Sequence, residues 1–235
     1  MADGFQPTLA VVFMANENER TAVTELLSQK GIQIFGASTG DNFTDGEIES
    51  HTIVLLLLDI DPAYFQLEIK GADEGTIKEI AEQIGKSALT KFKKPAFLVV
   101  SGGLAVDGDE IIAGIESACG QGTTIFGGLA ADFLRMQRTY VFNNDKLCDY
   151  GLLALILDEE KISLSGMAVG GWKPMGMDRI ITKSSGNVVY TIDNEPALDF
   201  VSRYAGLKDL DTNNALNFLI SSNFQLQLKR EDKHP

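Results

Sequence analysis

The sequence contains few of the side chains that usually ligate transition metals. Its 235 residues include two cysteines and two histidines, namely Cys119, Cys148, His51 and His234. A zinc site needs several such ligands at close spacing, and neither an HExxH nor a CxxC pattern occurs. Two cysteines are too few for a disulfide framework and are compatible with a reducing compartment. We therefore expect no metal site and no cofactor.

Long apolar runs and an excess of basic residues are also missing. Apolar runs such as Ile53–Leu58 are far shorter than the roughly 20 residues of a membrane-spanning helix, and the first ten residues do not have the pattern of a secretory signal. With 20 Lys+Arg against 33 Asp+Glu, the formal net charge is −13. Nucleic-acid binding without sequence preference depends on Lys and Arg that neutralise phosphates. The sequence therefore predicts a cytoplasmic protein with no membrane span and no nucleic-acid partner.

The composition, 44% hydrophobic and 23% charged, is typical of a folded domain. Short apolar runs typical of buried strands alternate with segments of helical periodicity. Helices are predicted over about 16–31, 76–91, 107–119 and 195–204. Strands are predicted over 8–14, 32–35, 52–58, 64–69, 96–100 and 124–126, and then, in a strand-rich part, over 139–142, 151–157, 161–169, 180–184 and 188–192.

Part of this pattern occurs twice. The tripeptide Ile-Phe-Gly at 34–36 returns 91 positions later at 125–127, and Asp41 and Asp132 are separated by the same 91 positions. Segment 9–16 corresponds loosely to 97–104, and 54–59 to 152–158. Self-similarity of this kind indicates a tandem duplication. We predict an α/β fold of two duplicated β-α-β-β units, about 7–70 and 95–160, with mixed sheets, helices on the outer faces and a strand-rich part up to 206.

Each unit contains a glycine loop that ends in an aspartate. The first runs from Gly36 to Asp41, and the second from Gly127 and Gly128 to Asp132. In open α/β sheets, ligands bind beyond the carboxyl ends of the strands, where both loops are predicted. The alternative is structural: the glycines form tight turns and the aspartates cap local backbone. The sequence leaves both interpretations open.

Common phosphate-binding motifs do not occur. Neither GxxxxGK[ST] nor GxGxxG is present, Ser101 after its strand does not lie in a GxSxG pattern, and Asp107, Asp109 and Glu110 place negative charge at the start of the one helix that follows a glycine pair, which opposes a bound phosphate. Paired carboxylates such as Asp41 and Asp132 could act as acid and base. A small hydrolase-like enzyme is therefore an alternative to a binding protein.

Three further residues suit a ligand site. Trp172, the single tryptophan, follows a glycine pair and precedes Lys173 and Pro174, so that it is either a core residue or the wall of a cavity. Arg138 and Lys173 could each pair with a ligand carboxylate, Arg138 with bidentate geometry. For Lys173 the alternative is ordinary surface charge.

Several motifs together resemble a known family. They lie at 126–132, 138–142, 171–174, 186–190 and 195–198, and their order and spacing resemble the N-terminal half of FIST proteins, the "F-box and intracellular signal transduction" sensory domain. The resemblance covers about 7–206. It implies a cytoplasmic input module of bacterial signalling that binds a small ligand, such as an amino acid. The implied partners are a histidine kinase, a diguanylate cyclase or a chemotaxis-type transducer.

The sequence also departs from the family pattern. Family members often place a histidine, a proposed haem ligand, just before the Gly-Trp pair, whereas this chain has Gly170 or Gly171 there. The family usually continues into a C-terminal FIST domain, so that 207–235 are expected to be the start of a truncated or missing region.

We thus predict a ligand sensor without catalytic residues. The residues predicted to line its pocket are Gly36, Asp41, Gly127, Gly128, Asp132, Arg138, Trp172 and Lys173. Besides the hydrolase-like enzyme, the second alternative is a scaffold that docks partners through an exposed apolar patch.

Overall fold

The computed structural model describes residues 4–15, 17–44, 46–133, 135, 137–167, 173, 176–186, 188–205 and 228. The chain divides into two compact units, Met1–Gly166 and Met167–Pro235, which are described in turn.

The first unit contains most of the regular structure. Its strands are β1 Leu9–Met14, β2 Gln33–Ser38, β3 Asn42–Thr44, β4 Glu47–Glu49, β5 Ile53–Leu58, β6 Phe65–Gly71, β7 Pro95–Gly102, β8 Ile125–Leu129, β9 Val141–Phe142, β10 Leu147–Cys148 and β11 Gly151–Asp158. Its helices are α1 Arg20–Gln29, α2 Ile77–Lys91 and α3 Gly108–Cys119. Short 3-10 turns cover Glu17–Glu19, Pro62–Tyr64 and Ala72–Glu74.

Two mixed sheets form the centre of this unit, with strand orders β10-β9-β2-β1-β5 and β6-β11-β7-β8. In the first sheet β1 is parallel to β2 and antiparallel to β5. In the second, β7 is likewise parallel to β8 and antiparallel to β11. Since α1 connects β1 to β2 and α3 connects β7 to β8, the same β-α-β-β connectivity occurs twice. The predicted α/β class, with duplicated units and mixed sheets, is confirmed.

The side chains of the strands alternate between two cores. In β1, Val11 joins a cluster shared by both sheets, whereas Val12 joins the cluster beneath α1. In β11, Leu153 joins the shared cluster, whereas Leu152 packs beneath α2 and α3. Period-two alternation with apolar residues on both faces is what a doubly covered sheet requires. The sheets therefore pack face to face, with α1 on one outer side and α2 and α3 on the other.

Helix α2 shows why the sequence pattern predicts helices well. Thr76 accepts a hydrogen bond from the Glu79 amide, and the Glu79 carboxylate accepts one from the Thr76 amide, which is a capping box. The buried face is apolar: Ile77, Ile80, Ala81, Ile84 and Ala88. The helix ends after Lys91, before Pro95. The prediction for this helix is confirmed to within one residue.

The predicted strand ends at Gly36 and Gly127 are wrong, because β2 and β8 continue through both glycines. Gly36 faces Phe142 across the β2–β9 pair, and a Cβ built on Gly36 would lie 2.6 Å from Phe142 Cε1. Gly127 has φ 157°, and its Cβ would overlap the carbonyl oxygen of Val99 in β7. Both glycines therefore allow close packing.

Two other expectations for this unit are corrected, and one element was not predicted. The predicted strand over 161–169 is absent from its described part, 161–167, where Ile162 and Leu164 instead cover the core between the sheets. Strand β5 is not buried on both faces: it lies at a sheet edge, with Leu55 44% and Leu56 55% exposed. The short hairpin of β3 and β4 was not predicted. The predicted cap of α1, Asn16, lies outside the described residues.

The second unit contains a small antiparallel sheet and one helix among its described residues. Strands β12 Ile181–Ser185, β13 Val188–Ile192 and β14 Glu195–Pro196 pair in that order, and α4 Ala197–Ala205 follows. The predicted strands and helix are confirmed, although the helix begins two residues later than predicted. Across both units, no described helix combines the length and apolar character needed to cross a membrane.

Candidate functional site

The segments that follow β2, β7 and β8 meet at one place. The Ala131 amide donates to the Ser38 carbonyl oxygen at 3.1 Å, and the Ala130 amide donates to that of Ser101 at 2.9 Å. The Ser38 amide in turn donates to the carbonyl oxygen of Tyr140 at 2.9 Å. We call this region the loop junction; it comprises 38–41, 101–103, 130–133 and 137–140. The two predicted glycine loops therefore converge beyond the carboxyl ends of their strands.

The two loop aspartates hold local structure. Asp132 accepts hydrogen bonds from the backbone amides of Gln137 at 2.7 Å and Arg138 at 3.0 Å. Asp41 accepts one from the Ser50 hydroxyl at 2.6 Å. The Asp132 contacts match the structural interpretation, in which an aspartate caps backbone of its own loop, whereas the Asp41 contact joins the two ends of the β3–β4 hairpin.

An aromatic pair bridges the loop junction to the segment before β5. The rings of His51 and Phe133 are stacked with centroids 4.5 Å apart. Both residues have positive φ angles, 60° and 58°, which side-chain-bearing residues rarely adopt. The main chain of Phe133 also approaches Gly40, whose added Cβ would be 3.6 Å from the Phe133 nitrogen. No pattern in the sequence indicated this pair.

Arg138 is the cation of the loop junction. Its guanidinium donates to Asp149 Oδ1 at 2.6 Å and to the carboxylate of Glu17, and it lies 5.5 Å from the centre of the Tyr140 ring. The hydrogen bond to Asp149, together with that to Glu17, raises the pKa of Arg138 above its ordinary value. Arg138 thus links the connection before α1 to the connection between β10 and β11.

A group of buried polar atoms lies beside this cation. In the described part of the chain, the Tyr140 hydroxyl, Arg20 Nε and the Thr24 hydroxyl are buried without a hydrogen-bond partner. Burial, followed by the charge of Glu17, raises the pKa of Tyr140 to about 12. Sequence analysis assigned no role to these residues. The available signal was an arginine at the start of the apolar face that continues with Val23 and Leu27.

The structure places the predicted site residues as follows. Asp41, Asp132 and Arg138 belong to the loop junction, whereas Gly36 and Gly127 lie inside sheets. Gly128 is exposed, and no described atom lies within 4 Å of an added Cβ. Lys173 is exposed and belongs to the second unit. Trp172 lies outside the described residues, so that its role stays a prediction.

A small cavity lies at the β3–β4 hairpin, which directly follows Asp41. It has a volume of about 10 Å³ and is lined by the β3–β4 hairpin and the start of β5. That volume is enough for about one water molecule. Among the described residues, no group of three or more His, Cys, Asp or Glu side chains is arranged to hold a metal ion.

Comparison with known proteins adds the family. A search of curated proteins finds no match. A family model, the FIST N domain, matches residues 8–195, which include both copies of the β-α-β-β unit and the small sheet of the second unit. Because this match covers well over half of the chain, the protein belongs to the FIST N domain family.

Proposed function

We propose a role in sensing, because FIST domains form a sensory family of signal transduction and not a known enzyme family. We propose that this chain is a cytoplasmic input module of bacterial signalling that binds an amino acid or a related metabolite at the loop junction. Its output partner would be a histidine kinase, a diguanylate cyclase or a chemotaxis-type transducer. The proposal includes Asp41, Asp132 and Arg138 as residues near the ligand.

The observation that carries this proposal is the arrangement of charge around Arg138. One cation lies between two carboxylates, those of Glu17 and Asp149, at the point where several loops converge. A zwitterion could exchange with these partners, its carboxylate binding Arg138 and its ammonium binding Asp149. Exposed ion pairs contribute only about 0–1 kcal/mol, so that the exchange would cost little.

The same arrangement suggests how binding could be transmitted. Arg138 contacts Glu17, in the turn that precedes α1, and Asp149, directly before β11. A ligand that binds Arg138 better when Glu17 is released would shift the population toward the released state. The turn Glu17–Glu19 and the start of α1 are therefore the elements that we expect to respond.

A thermal-shift screen of the full chain against the common amino acids and related metabolites tests the proposal. A ligand at 100 times its dissociation constant should stabilise the protein by about 2.7 kcal/mol. Arg138→Ala should abolish the shift. Arg179→Ala, which removes a comparably exposed cation paired with Asp193, is the matched control. An equal shift in the Arg138 variant would contradict the proposal, and the absence of any shift would favour the docking scaffold.

The hydrolase-like alternative has less support. It requires Asp41 or Asp132 to exchange protons with a substrate, whereas the contacts of both carboxylates described above hold their own loops in place.

A further inference from the structure

Three polar groups beneath the start of α1 have no hydrogen-bond partner among the described residues. They are the hydroxyls of Tyr140, which is 5% exposed, and Thr24, which is 8% exposed, and the buried Arg20 Nε. Leaving a buried donor unsatisfied is unfavourable, and native proteins satisfy most such groups. Three of them together therefore indicate a site that a ligand completes.

The three groups belong to one place. Arg20 and Thr24 are four residues apart on α1 and so share a face, and Tyr140 lies in the same buried cluster as Leu27, one turn further along that helix.

The chemistry of the groups selects the ligand. Arg20 Nε can only donate a hydrogen bond, and both hydroxyls can donate. A group that accepts several hydrogen bonds beside a positive charge is an anion, and a carboxylate has the two oxygens needed. The cluster that contains Tyr140 is apolar, with Val23, Leu27 and Phe142 among its members, which favours a small anion with a short apolar substituent.

The Glu17–Arg138 ion pair lies next to this group. The Arg138 guanidinium is 5.5 Å from the Tyr140 ring centre and is hydrogen-bonded to the Glu17 carboxylate, whose charge acts on the Tyr140 hydroxyl. Glu17 is therefore the carboxylate that a ligand carboxylate would replace.

We propose that Arg20, Thr24 and Tyr140 form a subsite for a small carboxylate, which enters by displacing Glu17 from Arg138. The inference rests on the proposed function, because it assigns the carboxylate end of the sensed ligand to these three side chains together with Arg138. It adds residues outside the predicted pocket and a competing group, Glu17, that keeps the subsite closed.

Sodium acetate is the probe, compared with sodium chloride at equal ionic strength and with acetamide, its neutral isostere. We expect a saturable rise in melting temperature with acetate alone. Tyr140→Phe and Thr24→Val, which remove single hydroxyls with little change in shape, should each weaken acetate binding about tenfold or more while folding normally. Tyr150→Phe, at a half-exposed tyrosine outside the subsite, is the control and should bind acetate as the unmodified chain does. Glu17→Gln should strengthen binding.

Two results would overturn the inference: no acetate-specific shift in the unmodified chain, which would leave a buried water as the occupant, or equal shifts in the Tyr140 and Thr24 variants. The proposed function fails separately. A metabolite that depends on Arg138 but not on Tyr140 or Thr24 would support sensing and refute the subsite. Specific acetate binding in a chain that no metabolite stabilises would support the subsite and refute metabolite sensing.

Discussion

Gly36 and Phe142 lie directly opposite each other across the β2–β9 pair, and the Phe142 ring occupies the space that a side chain on Gly36 would need. Phe142 is fully buried, so that it cannot move aside freely. An aromatic ring over a cross-strand glycine covers the exposed backbone and fixes the register of the two strands. The contact joins the first copy of the unit to the segment that follows the loop junction.

Gly36→Ala should destabilise the protein by about 1–3 kcal/mol, the usual cost of overpacking a core. Urea unfolding at neutral pH measures this change. Combining it with Phe142→Leu should give a loss smaller than the sum of the two single losses, because the smaller side chain leaves room for the methyl group. Gly128→Ala, where the described chain leaves open space, should change stability by less than about 0.5 kcal/mol. Strictly additive losses would show that the ring does not restrict position 36.

Two glycines of α3 should respond to alanine with opposite signs. An added Cβ at Gly114 would lie 2.6 Å from Ala81 Cβ and would overlap the Lys78 carbonyl oxygen of α2. Gly114→Ala should therefore cost about 1–3 kcal/mol. Gly108, the first residue of the helix, has free space in the described structure, and Gly108→Ala should gain about 0.4–1 kcal/mol. Thermal unfolding of both variants tests this, and a gain at Gly114 would contradict the close crossing of α2 and α3.

Tyr140→Phe should flatten the alkaline limb of the stability profile. The pKa of Tyr140 is about 12 in the folded protein against about 10 in an unfolded chain. The folded state therefore holds the proton more tightly, and this contribution is complete below pH 10 and lost between pH 10 and 12. The unmodified protein should lose stability relative to the variant by up to about 1.4 kcal/mol per pH unit.

Urea midpoints at pH 8, 9, 10 and 10.5 provide the measurement. Thr24→Val, which keeps the tyrosine, should retain the alkaline slope of the unmodified chain. Parallel profiles for the unmodified protein and the Tyr140 variant would contradict the burial of an un-ionised hydroxyl at this position.

Glu74 should govern part of the acid limb. Its carboxylate is 2.8 Å from Lys146 Nζ and 2.8 Å from Lys70 Nζ, and these two hydrogen bonds, that from Lys146 first, lower the pKa of Glu74 to about 2. A lowered folded pKa adds stability above about pH 4.5 that is lost as the pH falls toward 2. Because the pairs are partly exposed, the contribution should be no more than about 1 kcal/mol.

Glu74→Gln should reduce stability at pH 6 and make the loss between pH 4.5 and 2 shallower, as followed by urea unfolding. Glu82→Gln, which removes an exposed helix pair with Lys86, should cost only about 0.2–0.5 kcal/mol. An unchanged acid limb in the Glu74 variant would contradict the lowered pKa.

Sequence patterns predicted correctly those elements that are determined by residues close together in the chain. Helix α2 follows from Thr76 and Glu79 at its start and from an apolar stripe, and all of these lie within 16 residues of one another. The continuation of β2 through Gly36 depends on its pairing with Phe142, which lies 106 positions later in the chain. A glycine in a tight turn and a strand glycine covered by an aromatic ring cannot be told apart from the local sequence. Strand β5 has an apolar run like that of a central strand. It lies at an edge because, among the described strands, its neighbour in the sheet is β1 alone, and the sequence of β5 does not indicate this.

The candidate site was predicted unevenly for the same reason. The repeat placed Asp41 and Asp132 near each other in the fold, because equivalent loops of duplicated units end on the same side of their sheets. Arg138 followed from its charge. Tyr140, Arg20 and Thr24 could not be assigned, since their isolation from partners depends on how α1 covers the sheet.

Strand β6 follows the first copy of the unit in the chain but pairs with β11 of the second. The second sheet therefore needs a strand from the first half of the chain. A fragment cut between α2 and β7 would leave β6 without its described strand partner and β11 without a neighbour on one side. The two halves are interlocked by this exchange. We expect residues 9–158 to exchange their most protected amide hydrogens in a single cooperative opening. A substitution that destabilises one half should therefore increase amide exchange in the other half as well.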